Sequence, residues 1–92
     1  MTTEQFTLLV QRYLDFLESV GAKPVRTQPS VVPSGRDALG HARWMCSELL
    51  SMTSHSDYDR EKAHRWLGFI QSILWSQGKL TIDELRQDVM RV

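Results

Sequence analysis

The fold is decided by residues 63–75, which read Ala63-His64-Arg65-Trp66-Leu67-Gly68-Phe69-Ile70-Gln71-Ser72-Ile73-Leu74-Trp75. Apolar residues recur in this stretch at steps of three and four, the repeat of one helix face: Ala63, Trp66, Leu67, Phe69, Ile70, Ile73 and Leu74. The face is wider than usual, so the sequence predicts a central helix from about Asp57 to Gln77. Ser56 is its expected N-cap, with Asp59 at the third helical position, and Gly78 is its expected C-terminal cap.

The same periodicity predicts two helices before the central one. The first spans about residues 4–20, with Thr2 and Gln5 at capping-box spacing and Gly21 after its end. The second spans about residues 34–52, with Ser34 as N-cap. We expect it to form an antiparallel hairpin with the central helix, because the connection between them is short.

A fourth helix is predicted from Thr81 to about Met90. Thr81 and Glu84 have capping-box spacing, and Leu80 and Leu85 flank the cap as a hydrophobic staple. The apolar stripe of this helix is narrow: Ile82, Leu85 and Val89. We expect the fourth helix to fold back against the third, and the first helix to pack across the second and third.

Residues 22–33 are expected to form an extended connection, because they contain Pro24, Pro29 and Pro33. A structureless loop of this length is uncommon within a compact domain. We therefore expect it to pack its valines across the helices: Val25, Val31 and Val32. A short strand at Val31 and Val32 would need a partner strand, and the sequence offers none.

Length and charge limit the class of protein. The 92 residues predict a single all-α domain, residues 1–92, forming a small bundle of about four helices. Eleven basic and eleven acidic residues balance, which disfavours a general polyanion binder. We expect no membrane span and no secretory signal, and the single cysteine, Cys46, fits a reducing cytoplasm.

No set of residues has the spacing of a catalytic or cofactor site. His41, Cys46, His55 and His64 lack metal-ligand spacing, and the chain has no phosphate loop. We therefore expect a protein without catalysis, metal or cofactor. Two other hypotheses stay open. One is nucleic-acid or nucleotide binding through four cations, namely Arg43, Arg60, Lys62 and Arg65. The other is a metal-dependent hydrolase that uses three acidic residues, namely Asp57, Asp59 and Glu61.

Two helical stripes outside the main apolar faces each carry a tryptophan. One contains His64, Gly68, Gln71 and Trp75, and the other contains Gly40, Trp44, Ser47 and Ser51. Tryptophan is enriched at interfaces, and small neighbours allow another helix to approach closely. Each stripe is either covered within the fold or binds a partner.

The chain also resembles a known group of proteins. The motif Glu61-Lys62-Ala63-His64-Arg65-Trp66-Leu67-Gly68-Phe69-Ile70-Gln71-Ser72-Ile73-Leu74-Trp75 is followed by Gly78 and Thr81-Ile82-Asp83-Glu84-Leu85-Arg86. It resembles small, uncharacterised helical proteins that tailed phages and prophages encode. The stretch His41-Ala42-Arg43-Trp44-Met45 is similar to their upstream element, so the resemblance covers about residues 41–88. Ser72 departs from the pattern, since the group more often has glycine there.

The resemblance implies an early or accessory phage product that acts in the host cytoplasm by binding a protein. The partner would be a host enzyme, a host defence complex or, as a homo-oligomer, a second copy of the chain. The candidate partner-binding residues, from the motif and the two stripes together, are His41, Trp44, His64, Arg65, Gly68, Gln71 and Trp75.

Overall fold

The computed structural model describes residues 1–55 and 58–91. It contains four helices: α1 (Thr3–Ser19), α2 (Gly35–Met52), α3 (Arg60–Ser76) and α4 (Ile82–Arg91). No strand occurs in the described ranges. The all-α prediction is therefore confirmed.

Two capping boxes fix the starts of the first and last helices, as predicted. Thr2 Oγ1 accepts a hydrogen bond from the Gln5 amide at 3.1 Å, and Gln5 Oε1 accepts one from the Thr2 amide at 2.7 Å. Thr81 and Glu84 make the same reciprocal pair, with both distances 3.1 Å. Each box satisfies amide groups that the first helical turn leaves without partners.

Helix α3 begins later than the sequence predicted. Asp59 is its N-cap, and the Asp59 carboxylate accepts a hydrogen bond from the Lys62 amide at 3.1 Å. The expected position of Asp59 inside the helix was therefore wrong. Aspartate is as good an N-cap as serine, so Asp59 can cap the helix itself. The predicted cap Ser56 and the predicted first residue Asp57 lie outside the described residues.

Side-chain contacts between the helices show whether two helices run parallel or antiparallel. His41 of α2 contacts Phe69 of α3, whereas Trp44, further along α2, contacts the earlier Trp66. Helices α2 and α3 therefore run antiparallel, as predicted. Helices α1 and α3 run parallel, because the contacts of α1 with α3 follow chain order: Phe6 with His64, then Tyr13 with Gln71.

One hydrophobic core lies between the helices. Its fully buried large side chains come from α1, α2 and α3: Phe6, Leu9, Val10, Leu17, Cys46, Leu49, Ile70 and Leu74. Leu80 and Leu85, the expected staple, pack against the same core. The predicted stripe of α4 does not all face inward, since Ile82 and Val89 are about half exposed and Asp88 is buried instead.

The connecting segment, residues 22–33, carries neither helix nor strand. The expectation that its valines pack across the helices was wrong for Val31 and Val32, which are 54% and 94% exposed. Val25 is 38% exposed, but its Cβ lies beside Gly40 of α2. Backbone contacts also hold the segment to α2. The Val25 amide donates to the Gly40 carbonyl at 3.1 Å, and a Cβ at Gly40 would collide with the Lys23 carbonyl oxygen. Because Gly40 has no Cβ, the backbone of the connecting segment can approach α2 closely at this position.

Candidate functional site

A groove lies between α2, α3 and the connecting segment. Its volume is about 440 Å³. Aromatic rings line it from both helices, namely His41, Trp44, Trp66 and Phe69. Arg26, Thr27, Pro29, Met45 and Arg65 complete the lining. We call this the aromatic groove.

The four rings form a continuous row. His41 stacks on Trp44 with ring centres 5.4 Å apart, and Trp44 lies 5.9 Å from Trp66. His41 also meets Phe69 edge to face at 6.2 Å. The row remains open to solvent at Phe69, which is 54% exposed. An exposed aromatic side chain beside partly buried ones is typical of a binding surface.

Cations flank the rings. The Arg26 guanidinium lies 5.2 Å from the centre of a Trp44 ring, and Lys62 Nζ lies 5.4 Å from that of Trp66. These are cation–π distances. Among the residues that the structure describes, no acidic side chain lines the groove. Within the described part of the chain, neither Arg26 nor Arg65 pairs with a carboxylate.

The connecting segment forms one wall of the groove. The Thr27 amide donates a hydrogen bond to His41 Nδ1 at 3.1 Å. His41 Nδ1 is therefore an acceptor, and the proton of the neutral imidazole lies on Nε2. Thr27 Oγ1 is buried and has no hydrogen-bond partner among the described residues. Buried hydroxyl groups are usually paired, so Thr27 Oγ1 is an exception in the wall of the groove.

Three of the candidate partner-binding residues meet in this groove: His41, Trp44 and Arg65. Trp44 is partly buried there, under Arg26 and against Trp66. The structure does not bring the other four candidates into the groove.

Two of those four face α1. The His64 ring lies 5.1 Å from that of Phe6, and burial, then Arg60 and the N-terminal amine, lower the pKa of His64. Gln71 Nε2 donates a hydrogen bond to the Tyr13 hydroxyl at 3.2 Å. These contacts lie inside the fold, so both side chains serve packing between α1 and α3.

The remaining two candidates are exposed. Gly68 has open space where a Cβ would point. Trp75 is 53% exposed and borders a separate hollow of about 520 Å³ at the start of α4. Trp44 and Trp75 therefore line different hollows.

Sequence reasoning missed six residues that line the groove: Arg26, Thr27, Pro29, Met45, Trp66 and Phe69. The two aromatic residues were assigned to the core because they fit the periodicity of α3. The unusual width of that apolar face was the available signal, because α1 and α2 together cover only part of it. Nothing in the pattern of residues 22–33 placed Arg26 or Thr27 against α2.

Two of the four cations proposed for nucleic-acid binding have partners within the fold. Arg43 lies 3.6 Å from Glu18 and also donates to the Ala22 carbonyl. Arg60 donates to the Met1 carbonyl at 2.7 Å. These two arginines therefore have partners within the fold, whereas Lys62 and Arg65 flank the aromatic groove.

The structure does not bring the acidic residues proposed for a hydrolase together within the described ranges. Asp59 caps α3, Glu61 is exposed, and Asp57 lies outside the described residues. In the described ranges, no three His, Cys, Asp or Glu side chains converge as metal ligands. Nor does any helix described there have the length and apolar content needed to cross a membrane.

A buried polar cluster joins α4 to α1. Asp88 is only 8% exposed, accepts a hydrogen bond from the Tyr13 hydroxyl and pairs with Arg12 at 3.2 Å. Burial raises the pKa of Tyr13. The hydrogen bond from Gln71 acts against this rise, and the nearby Asp88 carboxylate adds to it. Sequence reasoning did not single out Asp88, because nothing local marks it from its exposed neighbours on α4.

Comparison of the chain with known protein families, with characterised proteins and with solved structures finds no match.

Proposed function

We propose that this chain is a small, non-catalytic binding protein whose aromatic groove receives part of another protein. The observation that carries the proposal is the open row of rings at Trp44, Trp66 and Phe69 beside two arginines. Aromatic and arginine side chains dominate the binding energy of protein interfaces. Among the described residues, no carboxylate neutralises these arginines.

The biological setting of the proposal comes from the resemblance over residues 41–88. Proteins of the similar phage and prophage group would act in the host cytoplasm as accessory products. We infer that the chain modulates a host protein, a host enzyme or a defence complex, by stoichiometric binding. His41, Trp44 and Arg65 belong both to the shared motifs and to the groove, which supports a common binding role for them.

Affinity capture from a host lysate tests the proposal, with two variants of α3 as a matched pair. Phe69→Ala removes an aromatic side chain from the groove. Trp75→Ala removes one of nearly equal exposure, 53% against 54%, from the same helix but outside the groove. We expect Phe69→Ala to lose a stoichiometric partner that the wild type and Trp75→Ala both retain.

Light scattering on the purified proteins accompanies the capture. A homodimer that Phe69→Ala dissociates would identify the partner as a second copy of the chain. If Trp75→Ala loses the partner and Phe69→Ala retains it, the hollow at the start of α4 is the binding site and the groove is not. A monomer that captures nothing in either form would contradict the proposal.

A further inference from the structure

We propose that the occupant of the aromatic groove is a short acidic peptide segment with an apolar side chain. Its carboxylates would pair with Arg26 and Arg65, and its apolar side chain would rest on the rings. This inference rests on the proposed function, because it states the chemistry of the partner at the same groove.

Charge complementarity carries the first step. The chain as a whole is neutral, with eleven basic and eleven acidic residues. The groove departs from that balance, since its lining in the described ranges contains two arginines and no acidic residue. A guanidinium binds a carboxylate through two parallel hydrogen bonds, a geometry that lysine does not offer. A segment that carries carboxylates therefore complements the charge of the groove.

Arg26 is already held in position for such a pair. Its guanidinium lies over Trp44 at 5.2 Å, and the next residue, Thr27, is anchored to His41 through its amide. An arginine that is fixed in the free protein loses less side-chain entropy when a ligand binds. A guanidinium above a ring can still donate hydrogen bonds from its edge.

The rest of the groove suits the body of a peptide. Its volume of about 440 Å³ holds a few side chains of an incoming segment. The aromatic row supplies apolar contact area.

A phosphate backbone would also attract two arginines, but the surrounding charges favour a peptide. A nucleic acid gains most of its affinity from many phosphate contacts. Arg43 and Arg60 have partners in Glu18 and the Met1 carbonyl, so Lys62, which lies over Trp66, is the further cation of that set beside the groove. Two arginines beside an apolar row match a short acidic motif better than a polyanion.

Fluorescence anisotropy with labelled peptides tests the inference. The probes are short peptides that alternate glutamate with leucine, phenylalanine or proline, and the same peptides with lysine in place of glutamate. The wild type is compared with Arg65→Glu in the groove. Arg86→Glu on α4 is the control, because it changes the net charge by the same amount at an exposed position outside the groove. Circular dichroism confirms that each variant is folded.

We expect the wild type to prefer a glutamate peptide over its lysine counterpart. Arg65→Glu should lower the affinity for the glutamate peptide by at least about fivefold and raise the affinity for the lysine peptide. Arg86→Glu should change both affinities much less. Equal binding of both peptide types, no binding of either, or equal effects of the two variants would overturn the inference. So would tighter binding of a single-stranded oligonucleotide that depends on Arg65.

The two proposals fail separately. A partner that is captured through Phe69 while no glutamate peptide binds would leave the proposed function intact and refute only the acidic segment. Loss of both the Phe69-dependent capture and the peptide binding would refute both.

Discussion

The phenolic oxygen of Tyr13 lies 3.0 Å from Oδ2 of Asp88, and this hydrogen bond joins the first helix to the last. Both residues are almost completely buried. Arg12 pairs with the other carboxylate oxygen, and Gln71 donates to the Tyr13 hydroxyl. A single buried carboxylate thus holds α4 against α1, while Gln71 connects the cluster to α3.

Tyr13→Phe should destabilise the protein by about 1–2 kcal/mol, because it leaves a buried carboxylate oxygen without its donor. Arg12→Gln should lower the free energy of unfolding by less, under about 1 kcal/mol. The Arg12 side chain is 54% exposed, so water screens its ion pair. Urea unfolding followed by circular dichroism measures both. A double-mutant cycle of Tyr13→Phe with Asp88→Ala should give a coupling energy of about 1 kcal/mol. Strict additivity would mean that the hydrogen bond contributes nothing to stability.

The sequence predicted the local features of this fold well and the tertiary ones less well. The capping boxes at Thr2 and Thr81 depend on residues three positions apart, so their spacing alone identifies them. The partner of Asp88 lies 75 positions away, and no local pattern reports it. Phe69 has the spacing of a core residue, but its exposure depends on how much of α3 the neighbouring helices cover.

Gly40→Ala and Gly68→Ala test whether the connecting segment packs against α2 at Gly40. Both variants place the same substitution in a helix interior. Gly68 has open space around its missing Cβ, so alanine there should stabilise the protein by about 0.5–1 kcal/mol through helix propensity. At Gly40 the new Cβ would collide with the Lys23 carbonyl oxygen. We expect a net loss of about 1–3 kcal/mol there, because backbone must move.

Thermal unfolding followed by circular dichroism distinguishes the two glycine variants. The melting temperature should rise for Gly68→Ala and fall for Gly40→Ala. An equal rise in both would show that residues 23–25 do not lie against α2. The wall of the aromatic groove would then lack its anchor.

Cys46 should be unreactive towards thiol reagents in the folded protein. Its side chain is completely buried, and burial raises the pKa of the thiol to about 12. The thiolate is the reactive form, so modification requires that the core opens. We expect Ellman's reagent at pH 8 to react at least about a thousandfold more slowly than with an unfolded control in urea. Rapid reaction in native buffer would contradict the packing of α2 in the core.

His64 should make the protein less stable as the solution becomes acidic. Burial against Phe6, and then the positive charges of Arg60 and the N-terminus, lower its pKa in the folded state. The unfolded chain therefore binds a proton at a higher pH, near the ordinary histidine value of about 6.5. As pH falls through about 6.5 the unfolded state gains that proton first, so the free energy of unfolding decreases until the folded pKa is passed.

An NMR titration of the imidazole protons measures this directly, and His64→Gln assigns the resonance. We expect a midpoint below about 6.5 for His64. The His64→Gln variant should lose less stability than the wild type between pH 7 and pH 5, because glutamine cannot take up the proton. Arg60→Gln should move the midpoint of His64 upward, since it removes one of the repelling charges. A midpoint at or above the ordinary value in the wild type would mean that His64 does not pack between α1 and α3.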